Sequence, residues 1–399
     1  MDLLVIGGGF AGVWSAAAAA KVRKETGSKL DITLIAPGDD LVIRPRLYEA
    51  DPARMRVPLN RILEPIGVRH VKATVTGLDV AGGLVTAADR DGGRQRLGYE
   101  RLVLAAGSRL RPAGVPGAER IHDVDTIESA ARLDEHLRGL PEGPGRLTAV
   151  VVGAGFTGLE VATELVGRLA AHSTGPADRP RVVLVELADE VGPDLGAGPR
   201  SVIVSALERL GIEVRLGQSI ASVEPGLVSF TDGDQIAADT VVWTAGMQAS
   251  PLTAEVPGRR DRLGRLYVNE HLQVPEAPEI LAAGDTAAAV AEPGQLVLQS
   301  CQHAIPLGKF AGHNAAADLL GLPLAPFAPA PYATCVDLGA AGAVLTSGWE
   351  RTVQSTGEVA KKRKITTNRE RIYPPLDDAE EIMRVADYRV GVRPPGARI

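Results

Sequence analysis

Two copies of a glycine-rich turn constrain the fold more than any other feature of this 399-residue chain. The pattern G-x-G-x-x-G occurs over Gly7–Gly12 and again over Gly153–Gly158. Each copy follows a short apolar strand and precedes a helix-forming stretch, and this context makes the pattern specific. The glycines allow a tight turn and a close approach of the backbone to a pyrophosphate at a helix N-terminus. The sequence therefore predicts an α/β chain with two Rossmann-like dinucleotide-binding domains.

One chain with two such turns can hold two dinucleotides. The usual chemical reason for this arrangement is the transfer of a hydride between a flavin and a nicotinamide. We therefore expect a flavin-dependent NAD(P)H oxidoreductase.

Composition and charge exclude several other classes of protein. A net charge of −6 and a pI near 5.8 argue against a nucleic-acid partner, which needs a basic face. The one basic run, Lys361–Lys364, is expected to be a solvated loop. The sequence has no run of 18 apolar residues, so we expect no membrane-spanning helix. We also expect no signal peptide, because the nucleotide-binding fold begins at Asp2, and two cysteines fit a reducing cytoplasm.

The positions of strands, helices and Pro/Gly-rich segments predict three domains. Residues 1–112 and 248–322 are expected to form a discontinuous FAD-binding domain, and residues 113–247 the NAD(H)-binding domain. Residues 323–399 are expected to form a small C-terminal α+β domain with one late helix near Asp378–Val385.

Within the first domain, three alternating segments predict an antiparallel meander. They are Val68–Asp79, Gly83–Ala87 and Arg94–Leu97.

Six segments, in a fixed order, are shared with a known family. They are Gly7–Gly12, Leu102–Ser108, Gly153–Glu164, Trp243–Gly246, Ile280–Asp285 and Ser300–Gly308. With these segments the chain resembles the two-dinucleotide-binding flavoproteins, and among them the type II NADH dehydrogenases, which are single-subunit NADH:quinone oxidoreductases. The resemblance implies FAD on the first turn, NADH on the second, and Asp285 beside the ribityl and pyrophosphate groups of FAD. It also implies hydride transfer from NADH to FAD and then to a quinone or quinone-like acceptor.

The residues expected to bind a cofactor lie in or beside these segments. They are Gly7, Gly9, Phe10, Ala11, Gly12, Arg44, Val75, Ala106, Gly107, Gly153, Gly155, Phe156, Thr157, Gly158, Glu186, Gly246, Gly284, Asp285, Cys301 and Gln302. Glu186 ends a strand, where an acid accepts hydrogen bonds from ribose hydroxyls and repels a 2′-phosphate, or is simply solvated. Arg44 and Arg46 are placed to approach an FAD phosphate or an anionic acceptor, or to lie at the surface.

Three residues are candidates for catalysis: Glu160, Gln302 and His303. Glu160 and Glu164 share one helix face, and the resemblance places Glu160 near the nicotinamide and the flavin. The alternative is that the negative charge only favours a helix N-terminus. Gln302, through a water molecule, and His303 are further candidates for the proton donor to the acceptor. His303 faces the flavin only if its helix is turned that way, and otherwise it is structural.

Three departures from the family concern the FAD ribose and the acceptor. Ala36 stands where the family has an acid for the ribose, so either Asp39 or Asp40 substitutes or that ribose lacks a charged partner. The family's acceptor segment, Ala-Gln-x-Ala-x-Gln-x-Gly, corresponds to Cys301–Gly308 here, and Pro306 replaces its second glutamine. The membrane-facing C-terminal helices of the respiratory enzymes have no clear counterpart. We therefore expect a small aromatic or quinone-like acceptor that reaches the protein from solvent. The protein itself is expected to have at most peripheral membrane contact, and a homodimer is possible.

Two alternative functions remain open. One is a flavin-dependent enzyme that acts on an aromatic or polycyclic metabolite in a biosynthetic pathway, and the other is a flavin redox partner of another protein. Cys301 and Cys335 do not form the CxxxxC motif of the disulfide reductases, and no cluster of residues has the spacing of metal ligands.

Overall fold

The structure is a computed structural model, and it describes residues 1–175 and 178–391. The strands up to residue 112 are β1 (Asp2–Ile6), β2 (Asp31–Ala36), β3 (Asp40–Val42), β4 (Arg56–Pro58), β5 (Arg69–Lys72), β6 (Thr74–Asp79), β7 (Leu84–Ala88), β8 (Arg94–Gly98), β9 (Arg101–Leu104) and β10 (Ser108–Leu110). The next strands are β11 (Thr148–Val152), β12 (Arg181–Val185), β13 (Glu213–Arg215), β14 (Ile220–Glu224), β15 (Leu227–Phe230), β16 (Gln235–Ala237) and β17 (Thr240–Trp243).

The remaining strands are β18 (Met247–Ala249), β19 (Leu266–Tyr267), β20 (Gln273–Val274), β21 (Ala277–Ala282), β22 (Ala287–Ala288), β23 (Val290–Glu292), β24 (Gln295–Leu296), β25 (Ala333–Asp337), β26 (Ala343–Ser347) and β27 (Thr352–Thr356). The helices are α1 (Phe10–Thr26), α2 (Asn60–Leu63), α3 (Ile127–Arg138), α4 (Phe156–Ala170), α5 (Ala197–Arg209), α6 (Cys301–Leu319), α7 (Gly357–Thr366) and α8 (Ala379–Ala386).

The first glycine turn leaves the carboxyl edge of a six-stranded sheet. The strand order is β20-β21-β9-β1-β2-β5, and all neighbours are parallel except β20 and β21. The last residue of β1, Ile6, pairs with Ile35 and Leu104, so the segments after β1, β2 and β9 leave the same edge. The central strands are continuous apolar runs, because both faces of the sheet are covered.

The second glycine turn has the same position on a second sheet. This sheet has the order β13-β12-β11-β17, and all its neighbours are parallel. Val152 at the end of β11 pairs with Val185 and Trp243, so the turn, Glu186 and Thr244 leave one edge together. The α/β class with two Rossmann-like sheets is confirmed.

Helices α1 and α6 pack with almost no space between their backbones. A Cβ on Gly308 would lie 2.3 Å from the carbonyl oxygen of Ala11, and one on Gly312 would lie 2.0 Å from that of Ser15. Ser15 Oγ donates to the Ala11 carbonyl at 2.8 Å, and a second contact joins it to the Gly308 carbonyl at 3.0 Å. The alanine-rich sequence of α1 allows this approach, which sets the start of α6 close to the first glycine turn.

The meander prediction is correct for three strands and wrong for one segment. Strands β6, β7 and β8 form an antiparallel sheet, as the alternation indicates. Residues Arg69–Lys72, expected in the same sheet, instead pair in parallel with β2 as an edge strand of the six-stranded sheet. The N–H of Ala73 still donates to the carbonyl of Ala36 at 3.1 Å, and the chain then leaves this sheet for the next one.

The C-terminal region contains an antiparallel sheet of β25, β26 and β27, followed by helices. The late helix lies at Ala379–Ala386, as expected. The basic run Lys361–Lys364 was expected to be a solvated loop, and this expectation is wrong, because the run lies inside α7. In the part of the chain that the structure describes, no helix is both long enough and apolar enough to span a membrane.

Candidate functional site

The first glycine turn combines two closely packed glycines with one that faces open space. Gly7 has a φ of +117°, and a Cβ there would lie 2.2 Å from the carbonyl oxygen of Ala105. A Cβ on Gly12 would lie 1.8 Å from the carbonyl oxygen of Gly7. A Cβ on Gly9 would meet no atom of the described residues within 4 Å, its chain neighbours aside. Gly7 and Gly12 therefore serve the packing of the chain, whereas Gly9 leaves room beside the start of α1.

The second glycine turn repeats this division. A Cβ on Gly158 would lie 1.7 Å from the carbonyl oxygen of Gly153, which has a φ of +102°. A Cβ on Gly155 would again meet nothing within 4 Å among the described residues outside its chain neighbours. At both turns the middle glycine leaves a space that a side chain would fill.

The helix that starts at each turn can donate hydrogen bonds into this space. Within the described ranges, neither α1 nor α4 has a side chain that caps its first turn. The first N–H groups of a helix lack intrahelical partners, and they favour an anion. These groups belong to Phe10 and Ala11 in α1 and to Phe156 and Thr157 in α4. Both turns thus fit the pyrophosphate of a dinucleotide.

The residues at the ends of β2 and β12 distinguish the two turns. The carboxylate of Glu186 accepts from the N–H of Ala154 at 2.7 Å and from that of Ala188 at 3.0 Å, so it lies directly against the second turn. Ala36 ends β2, and the nearby acids pair elsewhere: Asp39 with Lys72, and Asp40 with Arg56 at 3.5 Å. Among the described residues, a carboxylate thus lies directly against the turn at the end of β12, whereas the end of β2 has none in the corresponding position.

A polar network lies beside the first turn. Ser108 Oγ donates to Asp285 Oδ2 at 2.6 Å, and Arg44 Nη1 donates to Ser108 Oγ at 3.0 Å. Arg44 also forms ion pairs with Asp125 and, at 3.5 Å, with Asp285. A Cβ on Gly284 would lie 2.8 Å from the Ala11 Cβ, so the segment with Asp285 packs on the first turn of α1. Arg44 and Asp285, both expected to contact FAD, are thus brought together.

Four other predicted binding residues have more varied positions. Gly107 has a φ of +69°, and a Cβ there would meet no described atom within 4 Å beyond its neighbours. Gly246 has a φ of +87° and accepts from the N–H of Arg111 at 3.0 Å. Val75 and Ala106 are partly buried against the same apolar cluster, which includes residues of the six-stranded sheet. A cofactor contact of these residues stays a prediction.

The residues predicted to lie near the electron acceptor, Cys301, Gln302 and His303, form the first turn of α6, and Ser300 caps this helix. Burial raises the pKa of the Cys301 thiol to about 11, so the thiol is protonated at neutral pH. The side-chain amide of Gln302 donates to the carbonyl of Ala333 and accepts from its N–H at 3.0 Å. Gln302 therefore ties α6 to β25. Its expected role as a proton relay through water stays a prediction.

His303 is 2% exposed and stacks on Tyr332, with ring centroids 5.0 Å apart. Its Nδ1 accepts from the N–H of Leu298 at 3.1 Å. Burial lowers the pKa of His303 to about 4, so the ring is neutral at neutral pH. These contacts fit the structural alternative for this histidine, and its role in catalysis stays a prediction.

Glu160 is buried in an ion pair that its sequence position did not indicate. Its Oε1 lies 2.6 Å from Lys364 Nζ in α7 and also accepts from the N–H of Asp337 at 3.0 Å. Burial raises the pKa of Glu160 in spite of Lys364, and Glu160 in turn raises the pKa of Lys364.

The buried pair continues into a longer polar chain. Asp337 pairs with Lys361, and Tyr48 donates to Asp337 Oδ2 at 3.2 Å. Lys364, Asp285 and Glu160 are all close enough to the Cys301 thiol for their charges to affect its pKa. The start of α6 therefore lies between the polar residues around Glu160 and the Arg44 network. Tyr48, Asp337 and Lys364 were not predicted, because each joins Glu160 only through the tertiary fold.

A family model described as pyridine nucleotide-disulphide oxidoreductase matches residues 1–308. The chain belongs to this family. It is accordingly an oxidoreductase enzyme, and its family uses FAD and NAD(H). Cys301 and Cys335 are both free thiols.

Two curated relatives agree with this assignment. An NADH dehydrogenase-like protein of Mycobacterium tuberculosis is 45% identical over 401 residues, covering 98% of this chain and 99% of that protein. A type II NADH:quinone oxidoreductase of the same organism is 29% identical over 360 residues, covering 80% of this chain and 73% of that protein. The family resemblance inferred from the six segments is confirmed.

A solved structure supports the fold. NDH2 of Plasmodium falciparum, solved in complex with NADH, covers 91% of this chain and 93% of its own, with a TM-score of 0.74 and 13% identity. At this identity the likeness shows the fold alone.

Proposed function

We propose that the chain oxidises NADH with a bound FAD and passes the electrons to a quinone or quinone-like acceptor. The observation that carries this proposal is the pair of glycine turns, each with a middle glycine that faces open space at the start of an uncapped helix. At the second turn, the acid that ends the strand, Glu186, accepts from the N–H of Ala154 in the turn, whereas Ala36 ends the corresponding strand at the first turn. We therefore assign NADH to the second turn and FAD to the first.

The protein's own residues hold and separate the two dinucleotides. When bound, FAD supplies a ring that accepts hydride and returns electrons, which protein side chains cannot do. Gly9 and the first turn of α1 bind its pyrophosphate, and the Ser108–Asp285 contact positions a carboxylate beside them. Gly155 and the first turn of α4 bind the pyrophosphate of NADH.

Reduction of a quinone to a quinol takes up two electrons and two protons. The hydride from NADH brings both electrons and one of the two hydrogens, so one further proton must come from solvent. The buried polar residues around Glu160 are suited to relay it. Burial raises the pKa of Glu160, which favours its protonated form at higher pH than for an exposed acid. Lys364 Nζ lies 2.6 Å from Glu160 Oε1, so a proton can pass between the carboxyl group and the amine. Glu160 and Lys364 are therefore proposed as the proton relay, with Asp337 and Tyr48 behind them.

We propose an acceptor that arrives from solvent, with a cytoplasmic location and a possible homodimer. Pro306 lies inside α6 and offers neither an amide side chain nor a backbone N–H. Gln302, the glutamine that remains, is engaged with Ala333. The start of α6 thus offers few free hydrogen-bond donors for the head group of a long-chain quinone. An aromatic metabolite is for this reason the second candidate acceptor.

The first experiment determines the cofactor and the acceptor in order. The purified protein is expected to be yellow and to lose its oxidised-flavin absorbance on anaerobic addition of NADH. Soluble short-chain quinones are then compared with long-chain quinones in liposomes, alongside a liposome flotation assay. A colourless protein that cannot be reconstituted with FAD would refute the assignment of the first turn. Flotation together with turnover of long-chain quinones only would refute the solvent-borne acceptor.

Replacement of Glu186 by alanine is expected to reduce the preference for NADH over NADPH by about ten- to a hundredfold, the worth of hydrogen bonds to a charged group. The carboxylate accepts from ribose hydroxyls and repels a 2′-phosphate. Flavin reduction is followed at matched concentrations of both coenzymes. Because NADH and NADPH bind at the same glycine turn, damage to the turn itself affects both and cancels in the ratio of the two reduction rates.

The matched control is Glu190→Ala. Glu190 lies in the segment after β12 and pairs with Arg200 at 2.7 Å, so this variant loses the same charge nearby. It should keep the coenzyme preference of the wild type. An unchanged ratio in Glu186→Ala, or the same change in both variants, would show that Glu186 does not recognise the ribose.

A further inference from the structure

One arginine of the C-terminal region, Arg351, is almost completely buried. Arg351 ends the hairpin turn between β26 and β27 and is 5% exposed. Its backbone φ of +55° lies in the left-handed region, which is costly for a residue with a Cβ. A Cβ on Gly198 would lie 2.3 Å from the carbonyl oxygen of Arg351, so the hairpin is pressed against the start of α5. The packing therefore holds this arginine in a fixed, strained position.

The guanidinium lies between segments that we assign to the NADH site. Its Cζ is 5.5 Å from the ring centroid of Phe156, the first residue of α4, and 4.4 Å from that of Tyr332. Its Nη2 donates to the carbonyl oxygen of Asp194 at 3.4 Å, in the segment that follows Glu186. The group thus joins the start of α4 to the loop after β12, which together flank a dinucleotide bound at the second turn.

One nitrogen of this guanidinium lacks a hydrogen-bond acceptor. Arg351 Nη1 is buried and has no hydrogen-bond partner within residues 1–175 and 178–391. A buried charged donor is costly unless an acceptor satisfies it. A pyrophosphate offers that acceptor together with the opposite charge, and the planar guanidinium matches phosphate oxygens well.

We propose that Arg351 binds the pyrophosphate of NADH from the side opposite the glycine turn. The proposal rests on the assignment of NADH to the second turn. The half-buried ring of Phe156, the first residue of α4, lies against the guanidinium, so the arginine is next to the helix start that we assign to the pyrophosphate. The C-terminal region then contributes a residue to the binding of NADH.

The test compares a hydride donor that has a pyrophosphate with one that lacks it. Arg351→Met is expected to raise the KM for NADH by about ten- to a hundredfold, while kcat at saturation changes little. Flavin reduction by 1-benzyl-1,4-dihydronicotinamide, which carries the dihydropyridine ring and no phosphate, is expected to stay unchanged. Arg351→Lys keeps the charge and should fall between the wild type and Arg351→Met.

A binding measurement complements the kinetics. Calorimetric titration of the FAD-loaded protein with ADP-ribose, which contains the pyrophosphate but no nicotinamide, should show the same ten- to hundredfold loss in Arg351→Met, about the worth of one charged hydrogen bond. The matched control is Arg209→Met. Arg209 also links α5 to the C-terminal region, through a bond to the Ala341 carbonyl at 2.8 Å, away from the glycine turn.

The outcomes separate this proposal from the function on which it rests. Wild-type flavin that NADH does not reduce would refute the proposed function. Wild-type reduction by NADH with unchanged ADP-ribose affinity in Arg351→Met would refute the role of Arg351. Equal losses with both hydride donors, or equal losses in Arg209→Met, would also refute it, because they indicate a general disturbance of the domain contact.

Discussion

Replacement of Gly155 by valine is expected to give a folded, yellow protein whose flavin NADH no longer reduces. A Cβ at Gly155 meets no described atom within 4 Å outside its neighbours, so the protein itself has room for the new side chain. The same space is the one we assign to the pyrophosphate of NADH. Loss of two charged hydrogen bonds there corresponds to an affinity loss of at least about a hundredfold. Stopped-flow reduction over a range of NADH concentrations measures this loss.

Two further glycine variants make the result specific. Gly9→Val is the reciprocal change and should give a folded protein that does not retain FAD. Gly12→Ala should instead impair folding, because its Cβ would lie 1.8 Å from the carbonyl oxygen of Gly7. If Gly155→Val were reduced by NADH as fast as the wild type, or if it lost its flavin together with NADH binding, the assignment of the two turns would be wrong.

The parts of the fold that follow from local sequence were predictable. The glycine turns and their flanking apolar strands are contiguous, and their geometry depends on residues only a few positions apart, such as Gly7 and Gly12. These features fix the edge at which both dinucleotides are expected, and so the family could be inferred before the comparisons.

The misassigned segments show where local patterns are insufficient. Arg69–Lys72 alternates like its neighbours in the meander, but only the pairing with β2 decides that it belongs to the parallel sheet. The basic run Lys361–Lys364 has the composition of a solvated loop. It forms a helix because Lys364 meets Glu160 and Lys361 meets Asp337. A buried partner far away in sequence thus determines the conformation of a strongly charged segment.

The candidate site was predictable in its cofactor half and less so in its acceptor half. Glu186 could be placed from one strand and one turn, and it does lie against the second glycine turn. Tyr48 and Asp337 are 289 residues apart, and no sequence motif joins them. Gln302 was expected to face the acceptor, whereas its amide pairs with the backbone of Ala333, because β25 passes directly beside the start of α6.

The buried pair of Glu160 and Lys364 gives the second large expected effect. Both residues are 8% exposed, and Lys364 Nζ lies 2.6 Å from Glu160 Oε1. Removal of one partner from a buried ion pair leaves an uncompensated charge and costs about 3–5 kcal/mol. Lys364→Met is therefore expected to lower the free energy of unfolding by this amount at neutral pH.

The pH dependence of this loss identifies its origin. Burial raises the pKa of Glu160 in the folded protein, and Lys364 opposes that rise, so Lys364→Met raises the pKa further. When the pKa of a carboxyl group in the folded protein exceeds its unfolded value of about 4.3, the free energy of unfolding falls as the pH rises between the two values. The loss of unfolding free energy in Lys364→Met, relative to the wild type, should thus be small at pH values near the unfolded pKa of Glu160. It should be largest at pH values above the raised pKa.

A double variant tests the pairing itself. Urea unfolding is followed by circular dichroism and flavin release from about pH 4, near the unfolded pKa of a glutamate, to about pH 8. Glu160→Gln combined with Lys364→Met removes both charges and keeps an acceptor for the Asp337 N–H, so it should recover most of the stability that the single lysine variant loses. A control at the exposed Lys362, Lys362→Met on the same helix, should cost little. A Lys364→Met protein as stable as the wild type at neutral pH would contradict a buried ion pair. A double variant no more stable than Lys364→Met would show that the loss comes from packing of the lysine side chain and not from the unpaired charge of Glu160.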